Sequence, residues 1–126
     1  MERINSFNTG GQNDRVNFSM RFISLFKKKV LPLERLESII QEVILFINSD
    51  ATSMIYTSFD YPFEYVNYLE QLLIKVKSGD IEALNKLKLE FAPTGNLQEL
   101  SISNGWGKEF LKIAKEFDDV IEDLNL

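Results

Sequence analysis

Apolar side chains recur along this chain mostly at three- and four-residue steps, the spacing that collects them on one face of an α-helix, and sustained two-residue alternation is rare. The clearest case lies near the C-terminal end. Trp106, Phe110, Ile113, Phe117, Ile121 and Leu124 form one unbroken stripe, which predicts a helix with Ser103 or Asn104 available as its cap. Leu33, Leu36, Ile40, Val43, Ile44 and Ile47 predict another, opened by Pro32, with Glu34 and Glu37 near its positive end and Asn48-Ser49-Asp50 as its stop. Its later turns are apolar nearly all round, which marks it as the central helix of the fold. Tyr65, Val66, Leu69, Leu72, Leu73 and Val76 predict a third helix, running from Tyr61 with Asp60 as N-cap and ended by Ser78-Gly79. Asp80 then caps a helix with Ile81, Leu84, Leu87, Lys88 and Phe91 on one face. Beyond the break at Ala92-Pro93-Thr94-Gly95, Asn96 and Glu99 have capping-box spacing ahead of a short helix through Leu97, Leu100 and Ile102.

Two segments are less decisive. Between Phe18 and Val30, alternation of Val16, Phe18, Met20 and Phe22 competes with helical spacing of Phe18, Phe22, Leu25 and Phe26. Lys27-Lys28-Lys29 followed by Leu31-Pro32 favours helix, because cations suit a last turn and a proline beyond it ends the run. Residues 51 to 60 have β-propensity without alternation, so the stretch near 52–58 is either an extended connection or a single short strand. Residues 5 to 17 hold few apolar side chains and a Gly-Gly pair, giving a mobile leader over residues 1–15 ahead of a single helical domain over 16–126. The predicted architecture is an all-α bundle of five to six helices.

Composition narrows the chemistry. At 126 residues, 44% apolar and 12% aromatic, the chain has the side chains for one sizeable core. It contains no Cys and no His, which excludes disulfides, thiolate zinc sites, imidazole ligands and every Ser-His or Cys-His dyad. The longest aliphatic or aromatic run is Val43-Ile44-Leu45-Phe46-Ile47, too short for a membrane span or a secretion signal, so a cytoplasmic location is expected. The formal net charge is −5, and all of it lies in residues 64–126, where 7 basic side chains face 12 acidic ones. That balance argues against nucleic-acid binding and for a basic partner.

Three groups of residues are candidates for a role. Glu116, Asp118, Asp119, Glu122 and Asp123 crowd the end of the last helix, where paired carboxylates for acid/base work or a hard-cation site come to mind. A solvated helix face accounts for them better than either. Carboxylates beside a helix C-terminus nevertheless oppose the macrodipole, and retaining several there is understandable if they meet a basic partner. The second group is Tyr56, Tyr61, Tyr65 and Tyr68 with Phe59, read as a half-buried rim or as an interface. The third, Trp106 between Gly105 and Gly107, lacks the further glycine and preceding strand of a phosphate loop, and its place on the apolar stripe makes it a core anchor. No cofactor, metal or small-molecule substrate is expected.

Gly79-Asp80-Ile81-Glu82-Ala83-Leu84, Leu89-Glu90-Phe91-Ala92-Pro93-Thr94-Gly95-Asn96-Leu97-Gln98-Glu99 and Ser101-Ile102-Ser103-Asn104-Gly105-Trp106-Gly107-Lys108-Glu109-Phe110 resemble segments of small bacterial immunity proteins. Those proteins accompany polymorphic and contact-dependent growth-inhibition toxins, bind the toxin domain inside the cell and block it. The resemblance implies a non-enzymatic protein whose partner is a cognate toxin domain, basic and nuclease-like, covered at its active site. Glu116, Asp118, Asp119, Glu122 and Asp123 would steer that encounter and Tyr56, Tyr61, Tyr65 and Tyr68 would make fixed contacts. A helical adaptor or regulatory module for an endogenous protein is the alternative.

Overall fold

A computed structural model describes residues 31–49 and 51–124. Among them every regular element is helical and there is no strand. A helical run over 31–47 (α1) precedes four complete helices, Pro62–Lys77 (α2), Ile81–Phe91 (α3), Asn96–Ser103 (α4) and Gly107–Leu124 (α5). Four complete helices is somewhat fewer than the five to six predicted; the segment at 18–30 and the leader over 1–15 lie outside the described residues. The stretch near 52–58 is a connection of turns, not a strand.

One apolar cluster joins all five elements. Leu36, Ile40, Val43 and Ile47 of α1 are completely buried, as the period of that segment requires. Leu69 and Tyr65 of α2, Leu87 of α3, Leu97 and Leu100 of α4, and Phe110, Phe117 and Val120 of α5 meet them. Helix α2 packs on α3, α3 on α4 and α4 on α5. Two surface ion pairs tie α1 to its neighbours: Arg35 to Asp123 of α5 at 2.7 Å, and Glu37 to Lys77 of α2. Ile81 and Ile102, predicted on core faces, are instead half or more exposed, because each lies toward the edge of a short helix whose inner side is already filled.

The joints between helices follow from local chemistry. Asp80 caps α3 as its spacing predicts, accepting from the Ala83 N–H at 3.1 Å. At the end of α4, Gly105 has φ +86°, and the Gly105 and Trp106 amides return to the Ile102 and Ser101 carbonyls. This is a Schellman closure, which favours glycine and delivers Trp106 straight into the core. Three predicted caps are corrected. Asp60 does not cap α2; Tyr61 holds that position, and Glu64 reaches back to accept from the Asp60 and Tyr61 amides at 3.0 and 3.1 Å. Asn96 is the first residue of α4 and not its cap, a place taken by Gly95, where a Cβ would lie 2.3 Å from the Leu89 carbonyl oxygen. Ser103 and Asn104 belong to the end of α4 and leave α5 uncapped by either.

Candidate functional site

The surface that stands out begins where α1 gives way to α2. Its backbone is stapled by its own hydroxyls: Ser49 Oγ donates to the Phe46 carbonyl at 2.8 Å, Thr52 Oγ1 to Ser49 at 2.9 Å, and Thr57 Oγ1 to Met54 at 2.9 Å. A long-range clamp adds to this. The Asn104 side chain accepts from the Ser53 N–H at 2.7 Å and donates to the Ser53 carbonyl at 2.9 Å. Met54 is buried, and Phe59 turns inward to stack on Tyr65 at a ring separation of 4.8 Å and to lean on Tyr68 at 5.5 Å.

With those side chains turned in, the connection and the first turn of α2 present others to solvent. Ile55 is 75% exposed, Tyr56 62%, Tyr61 60% and Phe63 67%. The Tyr61 and Phe63 rings stack at 5.7 Å and 16°, so two large apolar faces are held in register on the outside of the protein. Phe63 was not singled out from the sequence. Its signal was there: on a helix it falls about 160° from Tyr65, an apolar residue on the polar face.

The predicted tyrosine rim is therefore divided. Tyr56 and Tyr61 are on the surface and Tyr68 is half-buried, but Tyr65 is fully buried, which corrects its place on the rim. Its hydroxyl donates to Glu90 Oε1 at 2.5 Å, and the Asn96 amide donates to the same oxygen at 3.2 Å. This arrangement explains why Asn96 is not a cap: its side chain is spent on a buried carboxylate beneath it. Burial holds the Tyr65 phenol far above its ordinary pKa, with the Glu90 charge and hydrogen bond acting in the same direction. The Tyr68 phenol is raised for the same two reasons, desolvation first and the Glu90 charge second. A buried tyrosine whose ionisation is disfavoured, bonded to a buried carboxylate, is a structural polar contact with no access for a substrate.

The acidic group at the end of α5 is also divided. All five side chains are exposed, but they point to different sides of the helix. Asp123 is engaged by Arg35, and Glu116 borders a shallow cleft against α1 with Arg35 and Glu42. Asp118 faces the other way, onto a groove shared with α3, and helical spacing leaves Asp119 and Glu122 pointing outward. Among the described residues no three acidic side chains converge as metal ligands would. Nor is any described helix long and apolar enough to cross a membrane. Trp106 is 4% exposed, stacked on Phe46 at 4.6 Å and edge-on to Phe110, with its indole N–H buried and without an acceptor among the described residues.

No family model, characterised protein or solved structure matches this chain.

Proposed function

We propose that this chain is an immunity protein, which binds a cognate bacterial toxin domain in the cytoplasm and neutralises it by covering the toxin's active site. The observation that carries the reading is the stacked, outward-facing pair Tyr61 and Phe63, displayed with Tyr56 and Ile55 from a connection held by side-chain hydrogen bonds. Large apolar rings left in water are unfavourable, and a cluster of them on a rigid support is what a protein contact surface offers. Aromatic anchors lose little side-chain entropy on binding, so a few can dominate an interface.

The acidic residues support the choice of partner. Asp118, Asp119 and Glu122 give this end of the protein a negative field, which raises the rate of encounter with a basic, nuclease-like domain. Resemblance over residues 79–110 supplies the class. In the fold those segments are α3, α4, the start of α5 and the turns that join them, so they act as scaffold. The aromatic surface lies outside them, free to suit a particular toxin. Inhibition on this account is by occlusion, in a complex of about 1,600 Å² in total, and neither protein is chemically altered.

Co-expression with a toxin domain encoded immediately upstream tests the proposal. Rescue of growth together with co-purification supports it. A chain that neither protects the cell nor co-purifies is not that toxin's immunity protein.

A further inference from the structure

Between α3 and α5 runs an open groove of about 500 Å³, floored by Phe91, Phe110 and Phe117 and bordered by Lys88, Lys115 and Asp118. The floor is rigid, since the Phe91 and Phe117 rings lie parallel at 4.0 Å. Apolar surface continues beyond it along α5. Leu111, on the groove wall, is 62% exposed, and Ile102, 60% exposed, packs at the position where a Cβ on Gly107 would stand. Gly107, Leu111, Ala114 and Asp118 follow one another at three- and four-residue steps, so this is one flank of one helix.

The charge along that helix is segregated. Lys108, Lys112 and Lys115 occupy its first half, while Asp118, Asp119, Glu122 and Asp123 occupy its second, with no basic residue in the last turn. Glu109 alone breaks the pattern, and it stands at the favourable end of the helix dipole; Glu116 fits the acidic half but faces the α1 side. A helix with cations in its first half, anions in its second and Leu111, Ala114 and Ile121 alongside them is complementary in charge to itself when two copies run antiparallel.

We infer that the α3–α5 groove is a self-association surface, covered by α5 of a second copy of this chain laid antiparallel across it. Two-fold symmetry then sets Lys115 of each copy against Asp118 of the other, twice over. Leu111 of each copy comes level with Ile121 and Glu122 of the other and enters the apolar strip. Of the carboxylates that oppose the macrodipole of their own helix, Asp118 is the one on the groove, and it meets Lys115 in the first half of the partner helix. No other occupant needs to be fitted to the pattern, because the second copy carries the reverse of the charge gradient by construction. A single helix pair of this kind buries a modest area, so the dimer is reversible and concentration-dependent.

The inference does not rest on the toxin-binding reading; Asp118 belongs to both surfaces, so dimerisation is measured on this chain alone, with no toxin domain present. Sedimentation equilibrium of the full chain over a range of concentrations should show a monomer–dimer equilibrium that weakens with added salt. Lys115→Glu and Asp118→Lys should each weaken dimerisation about tenfold, since symmetry repeats every like-charge contact. The double variant, Lys115→Glu with Asp118→Lys, should restore it, and Leu111→Ser should weaken it with no change in charge. Lys115, Asp118 and Leu111 are all exposed, and circular dichroism checks that each variant keeps its fold. Tyr61→Ala with Phe63→Ala should leave dimerisation untouched whether or not it affects toxin binding. A protein that stays monomeric at every concentration overturns the inference, as does a dimer in which the charge-swapped double variant is no tighter than the single ones.

Discussion

Tyr65→Phe removes one oxygen from the interior and little else. The ring keeps its stack on Phe59, but the Glu90 carboxylate loses its 2.5 Å donor and retains the Asn96 amide at 3.2 Å. Losing a hydrogen bond to a buried charged group costs about 1.5–3 kcal/mol at neutral pH. The same hydroxyl also makes stability depend on pH in a calculable direction. Its pKa in the folded chain lies well above the ordinary 10.0, so in alkali the native state keeps a proton that the unfolded chain has released. Stability from this group is complete below about pH 10 and declines above it by about 1.4 kcal/mol per pH unit, the worth of one proton. The Phe variant lacks that decline. Urea unfolding followed by Trp106 fluorescence, at pH 7 and at steps above pH 10, measures both effects. We expect the variant to be weaker by about 1.5–3 kcal/mol at pH 7 and the gap to narrow as the pH rises. Equal stability at pH 7, or a gap that stays constant into alkali, would refute the role given to this contact.

Trp106→Ala should destabilise by about 3–5 kcal/mol, the cost of emptying a large aromatic site, and a thermal melt reads it; Trp106→Phe should lose less, because a ring remains to pack against Phe46 and Phe110. An unchanged melting temperature for Trp106→Ala would place the indole outside the core. Gly95→Ala forces a Cβ to 2.3 Å from one carbonyl oxygen and 2.8 Å from another, so it should cost about 2 kcal/mol or more by the same melt, with backbone and not a flexible side chain obliged to move. Asn104→Ala removes both bonds that clamp Ser53 and should cost about 1–2 kcal/mol while speeding amide exchange across residues 51–58.

Much of this fold is legible because the stripes are strong. The turns from Trp106 to Leu124 and from Leu36 to Ile47 bury most of the apolar residues that helical period selects, with Ile44 and Ile121 only half-buried at the edge of the cluster, and Asp80 caps where its spacing says it should. The misread caps share a physical cause. Asp60, Asn96 and Asn104 each have a side chain suited to capping, but Glu64 takes over at the first, buried Glu90 claims the second, and Ser53, distant in sequence, claims the third. Local chemistry names the candidates; packing chooses among the competing partners. Tyr65 is read from the sequence in two ways, at the head of the core stripe and on the rim with Tyr68, and it is the stripe that holds: Phe59 folds over its ring from the connection before and completes the burial. Phe63 and Leu111 are the reverse case, since both are apolar residues well off the buried stripe of their helix, and helical period alone puts them in solvent.

Immunity by occlusion requires the Tyr61–Phe63 surface to hold a toxin domain. Purified chain should be titrated against the domain encoded upstream, following binding by surface plasmon resonance and toxin activity in the same mixtures. A complex should form in which toxin activity is abolished and both masses are unchanged. Tyr61→Ala with Phe63→Ala should dissociate from it at least about tenfold faster, with the melting temperature of the free protein unaltered because both rings are exposed. Full inhibition by that double variant at the dissociation rate of the unsubstituted chain, or no complex with the domain at all, would contradict the central claim.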